Sequence, residues 1–139
     1  MTTLVIKTDQ PRPPFYLLPT FLWGRGHDYD SDGNSRTPED TTWTELYCTN
    51  RSEPYERFSI EVKATPTPRI IIESKSDEAA ARLALMLHLE LGAEVWEGDG
   101  GSEEQVQREA LHLRCGEDFD WERRSREVRD LQKERKGRS

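Results

Sequence analysis

At 139 residues, with 33% hydrophobic and 34% charged side chains, the chain supports one lean core and leaves part of its length as surface or tail. Its formal net charge of −7 argues against general affinity for nucleic acid or anionic membranes, and no stretch approaches the run of about 20 apolar residues that a membrane span needs. The charge is uneven: residues 122–139 carry eight basic and four acidic side chains, a local +4 that leaves −11 on residues 1–121. The N-terminus has no basic stretch leading into an apolar run. Cys48 and Cys115 stand far apart, so a cytoplasmic protein with free thiols is the expectation.

In chain order, Leu4-Val5-Ile6 marks a first strand over residues 3–8, stopped by Asp9-Gln10-Pro11. Residues 15–23 are apolar and aromatic but interrupted by Pro19, which predicts an edge strand or an extended segment. Residues 24–42 form a long polar loop, a length that in compact domains goes with function or disorder. Residues 43–49 and 58–64 are strands; in the second, Phe58, Ile60 and Val62 alternate with Ser59, Glu61 and Lys63, as in a strand buried on one face. Thr65-Pro66-Thr67-Pro68 joins it to Arg69-Ile70-Ile71-Ile72-Glu73, completing a hairpin.

Ser74 or Ser76 caps the next helix, with Asp77 and Glu78 in its first turn, where the helix dipole favours them. Its body runs over 79–91 and Gly92 stops it. Ala80, Leu83, Ala84, Leu87 and Leu91 keep helical spacing, and only Glu78, Arg82, His88 and Glu90 break the apolar surface, so this is the most buried element. A short strand over 93–96 and a glycine turn follow. Ser102 with Gln105 then opens a helix by a capping-box pattern, with Val106, Ala110 and Leu113 as its stripe and Gly116 as its end. A last helix over 119–135 docks through Trp121 and frays toward the C-terminus. The predicted fold is α+β: an antiparallel sheet of five or six short strands packed by the 79–91 helix, with two C-terminal helices. Residues 1–116 form the domain and 117–139 a charged helix with a basic tail.

Within the 24–42 loop, Asp28, Asp30, Asp32, Gly33 and Glu39 stand in the spacing D-x-D-x-D-G-x5-E, which resembles an EF-hand calcium loop. Carboxylates at the first, third and fifth positions converge on a hard cation when the chain turns sharply at the glycine, and the twelfth closes the site. The flanks differ from that family: Gly24, Gly26 and Pro19 discourage the incoming helix, Ser35 stands where a branched apolar residue is usual, and Pro38 precedes Glu39. A solvated turn is the plainer reading. Other chemistry is thinner still. No serine elbow or phosphate-binding glycine loop occurs, and His88, His112, Cys48 and Cys115 are the only nitrogen or sulfur candidates in reach of a zinc site. No catalytic set emerges.

Four tryptophans are many for so lean a chain. Trp23 and Trp43 bracket the acidic loop and Trp96 adjoins Glu97-Gly98-Asp99; core anchoring is one role for them and interface anchoring the other. The run from Arg69 to Ser74 into Glu78-Ala79-Ala80-Ala81-Arg82-Leu83-Ala84, closing with Gly92-Ala93-Glu94-Val95, resembles the layout of small immunity proteins of bacterial toxin systems, as does Trp43-Thr44-Glu45-Leu46-Tyr47 followed by Asn50-Arg51. The resemblance implies a cytoplasmic inhibitor, not an enzyme, that binds one cognate toxin. Two readings result. In the first, Asp28, Asp30, Asp32, Glu39 and Asp40 cover the basic cleft of a protein partner, with Trp23, Trp43 or Trp96 as anchors. In the second, Asp28, Asp30, Asp32 and Glu39 bind calcium.

Overall fold

The computed structural model describes residues 1–26, 28–33, 41–51, 55–64, 67–98 and 103–137. Along it run β1 (Thr2–Lys7), α1 (Leu17–Trp23), β2 (Tyr29–Gly33), β3 (Glu45–Asn50), β4 (Arg57–Lys63), β5 (Arg69–Ser74), α2 (Asp77–Leu91), β6 (Val95–Glu97), β7 (Glu104–Val106), α3 (Arg108–Arg114) and α4 (Trp121–Gly137). The strands form one antiparallel sheet of seven, in the order β2-β3-β4-β5-β1-β6-β7. The fold is α+β as predicted, with the 58–64/69–73 hairpin in place as β4 and β5.

One face of the sheet carries Leu4, Ile6, Leu46, Ile60, Ile70 and Ile72 into a core shared with α1 and α2. α2 forms as its sequence dictates. The Ser76 side chain accepts from the Ala79 amide at 3.1 Å, and Gly92 takes the left-handed conformation at φ 64° to end the helix. Ala79, Ala80, Ala81, Leu83, Ala84, Leu85, Met86 and Leu87 are all buried; the run of alanines lets the helix lie close on the sheet. Glu56 ties this corner together, accepting from the Ser76 hydroxyl at 2.7 Å and from Trp23 Nε1 at 3.2 Å.

Four expectations are corrected. Residues 17–23 are helical, not extended, because Pro19 falls in the first turn, where its missing N–H is not needed. All seven residues of α1 are buried. Part of the 24–42 loop is β2, in which Tyr29 is partly buried and residues 30–33 are exposed. Residues 104–106 pair with β6 as β7, so the next helix starts at Arg108; the Ser102 cap lies outside the described residues. That helix buries Leu111 and Cys115 and leaves Leu113 83% exposed, a stripe one residue out of phase with the predicted one. With β2 and β7 gained and 15–23 lost, the strands number seven.

The basic C-terminal helix lies against α1. Val128 is buried, Arg124 Nη1 donates to the Phe21 carbonyl at 3.2 Å, the Arg135 guanidinium sits 4.1 Å from the Tyr16 ring centroid, and Arg25 pairs with Glu134. Part of its charge is therefore spent holding the helix to the body. Among the described residues no helix is long and apolar enough to cross a membrane.

At the start of α2, Arg114 links three elements. It donates to Asp77 Oδ1 at 2.6 Å and to both Glu97 oxygens at 3.0 and 2.9 Å, while Thr2 Oγ1 donates to Asp77 at 3.0 Å. The Arg114 hydrogen bonds, with Thr2 and the Arg114 charge adding to them, hold the Asp77 carboxyl below its ordinary range. A depressed carboxyl contributes stability that is fully present above its unfolded pKa of about 3.9 and is lost as pH falls through the lower folded value. Asp77→Asn is therefore expected to lower stability at neutral pH and to flatten the fall in Tm below pH 4. Thermal melts of both proteins from pH 7 to pH 2 measure this, and parallel curves would count against the link.

Candidate functional site: the open face of the sheet

Side chains one residue out of step with the core project from the opposite face, on which none of the described helices is packed. Its centre is apolar: Val5 and Ile71 are buried there but do not belong to the main core. Trp96 stands directly across from Val5 on β6. Lys7 lies over the Trp96 ring, 4.0 Å from its centroid, and pairs with Glu103 at 2.7 Å. Trp96 Nε1 is buried and has no hydrogen-bond partner among the described residues.

Toward β2 the face turns acidic around one aromatic. Tyr47 is 40% exposed and sits opposite Asp32 on one side and Ser59 on the other. Glu45 lies directly opposite Glu61, and Glu73 opposite Ser59. Desolvation first, and then the charges of Glu45, Glu61 and Asp32, raise the Tyr47 phenol above its ordinary pKa, so the ring stands in a negative field. Beside it a shallow groove of 320 Å³ is lined by Met1, Thr49, Arg57, Ser59 and Glu73.

At one end of the face the sign reverses. Lys63, Arg69 and Lys7 form a row across β4, β5 and β1. Like charges set directly opposite each other across strands are destabilising, whereas alternating ones would stabilise by about 0.2–1 kcal/mol per pair. This face thus groups its charges by sign at some cost to stability, relieved in part by the Lys63–Glu61 bridge at 3.2 Å.

The predicted site residues are distributed as follows. Asp28, Asp30 and Asp32 line up along the exposed side of β2 and its lead-in. Trp23 and Trp43 are buried at 8% and 1% exposure, so they are core residues rather than surface anchors. Trp96 shares the open face with Tyr47. Glu39 and Asp40 lie outside the described residues. Sequence reasoning missed Tyr47, Glu45 and Glu61 as a group: alternation marks the side each takes on its own strand, and the pairing of β3 with β4 brings them together.

The calcium-loop geometry does not form over residues 28–33. Extended backbone spreads Asp28, Asp30 and Asp32 along a line, and Arg51 occupies two of them. Its Nη1 donates to Asp28 Oδ1 at 2.8 Å and its Nε to Asp30 Oδ1 at 2.8 Å. The hydrogen bond from Arg51 holds the Asp30 carboxyl below its ordinary range. Among the described residues no group of three metal-ligating side chains comes together. The four zinc candidates are engaged separately. His88 sits with Nδ1 2.7 Å from the Ala93 carbonyl and Nε2 accepting from Arg108, the His112 ring packs tilted at 58° against Trp121 with centroids 5.1 Å apart, and burial pushes the Cys48 and Cys115 thiols up to about 12 and about 11. Comparison with family models, curated proteins and solved structures returned no match.

Proposed function

We propose that the protein is a non-enzymatic binding domain whose open sheet face docks a basic protein partner. The observation that carries this reading is the half-exposed Tyr47 ringed by Asp32, Glu45 and Glu61, on a face that keeps like charges opposite each other. An aromatic at the centre of a patch supplies contact area at low entropic cost, and surrounding carboxylates speed encounter with a basic surface. The resemblance to immunity proteins, together with −11 on residues 1–121, makes the partner a cognate toxin whose basic cleft is covered in the cytoplasm of the producing cell.

The test uses the purified product of the adjoining open reading frame, titrated against the wild-type chain, Tyr47→Ala and Glu61→Lys. Binding is expected to weaken at least tenfold in each variant and to fall with added salt. Folding stability of Glu61→Lys should change by less than about 1 kcal/mol, because the new lysine faces Glu45 but gives up the bridge to Lys63. A neighbour product that does not bind removes the immunity form of the proposal. Binding that ignores both substitutions removes the face.

A further inference from the structure

The acidic end of the sheet stops at β2, and no strand among the described residues pairs with its far side. The direction of its backbone groups follows from the register. The Arg51 amide donates to the Asp28 carbonyl at 3.3 Å, and Asp30 and Asp32 stand opposite Thr49 and Tyr47, so the even-numbered residues of β2 bond to β3. The N–H and C=O groups of Tyr29, Ser31 and Gly33 therefore point away from the sheet. The Gly33 N–H donates to Asp32 Oδ1 at 2.8 Å, while the groups of Tyr29 and Ser31 meet no strand among the described residues, an edge of the kind that accepts another strand.

Two further features say what kind of strand fits. On the open face, Asp30 and Asp32 present carboxylates along the edge. On the core face, a small cavity of 160 Å³ opens beside the edge, lined by Phe15 and Leu46 on its apolar side and by Ser31, Asp32 and Gly33 on its polar side. The edge is also held in place: Tyr29 packs on Trp23 with ring centroids 6.1 Å apart, and Arg51 clamps Asp28 and Asp30 from behind. A second copy of this chain is a poor occupant, because pairing β2 with β2 about Ser31 sets aspartate against aspartate.

We propose that β2 takes an eighth strand from the partner: an extended segment alternating basic with aliphatic residues. Its basic side chains meet Asp32 and the Asp30 oxygen that Arg51 does not contact, on the open face, and an aliphatic side chain packs on Phe15 and Leu46 at the mouth of the cavity. Main-chain hydrogen bonds to Tyr29 and Ser31 give affinity, and the alternation gives selectivity. The inference rests on the reading of the partner as a basic protein and names how part of it docks.

The probe is an acetylated, amidated heptapeptide of alternating lysine and valine, titrated into the full chain while backbone amide exchange is followed by NMR. Tyr29 and Ser31 amides are expected to gain protection. Three control peptides are each expected to bind at least tenfold more weakly: one N-methylated at alternate positions, one with glutamate for lysine and one with serine for valine. Equal binding of the N-methylated peptide, or protection confined to Tyr47 and its neighbours, would overturn strand addition and leave an acidic contact surface only. The two proposals separate cleanly, since Tyr47→Ala should spare peptide binding while weakening the whole partner. A neighbour product that does not bind, with the peptide still protecting β2, would sink the functional reading and keep the edge.

Discussion

Replacing Trp43 by alanine is expected to cost about 3–5 kcal/mol of folding stability, the range for a large aromatic deleted from a packed core. The indole is 1% exposed, and its Nε1 donates to the Pro13 carbonyl at 3.1 Å. Arg12 holds the same residue from outside, its Nε donating to the Trp43 carbonyl at 2.9 Å. Trp43 thus pins the segment ahead of α1 to the start of β3, and its loss opens a cavity and leaves a carbonyl unpaired. Trp43→Phe keeps much of the ring but strands the Pro13 oxygen, at about 1–3 kcal/mol. Urea denaturation measures both, as a lower midpoint at an unchanged slope. Below the transition, the folded Trp43→Ala protein should bind the partner as the wild type does. Selective loss of binding with stability intact would return Trp43 to the interface and contradict its burial.

What was legible in the sequence was what periodicity controls. Strict alternation in β4, an unbroken apolar run in β5 and a capped helical stripe in α2 each admit one solution, and together they fix the centre of the fold. The misreadings fell where position within an element, or a partner strand, decides. Pro19 looks like a breaker unless the helix begins two residues before it, at Leu17. Residues 104–106 are too polar to be read as a strand alone, and pairing with β6 supplies what their composition lacks. Trp23 and Trp43 flank the aspartates in sequence, but their rings turn into the core, since proximity along the chain does not fix the side a residue faces. For the binding face, the aspartates drew attention because they form a motif. Tyr47, Glu45 and Glu61 come together only through the register of β2, β3 and β4, which no local pattern specifies.

Gly33→Ala is expected to release the end of β2, at about 1–3 kcal/mol for forcing a side chain into a glycine-only conformation. In the calcium-loop reading this glycine makes a sharp turn around an ion. In the sheet it does something else. Its φ is 136°, and a Cβ there would stand 2.2 Å from the Glu45 carbonyl oxygen, far inside contact distance. Glycine lets β2 close onto β3 beside Tyr47. Alanine should therefore speed hydrogen exchange at the Tyr47 and Thr49 amides, which bond toward β2, and leave β5 and α2 protected. The same experiment separates the two readings of the aspartates. A ligand at about a hundredfold over its dissociation constant adds about 2.7 kcal/mol to the form it binds. With Asp28 and Asp30 engaged by Arg51 along an extended strand, millimolar calcium should leave Tm and the exchange pattern of the wild type unchanged, and should not rescue Gly33→Ala. A calcium-dependent rise in Tm that Asp30→Ala abolishes would mean that residues 28–33 leave the sheet to wrap an ion. The edge and the acidic face would then be the ion-free state of a calcium switch.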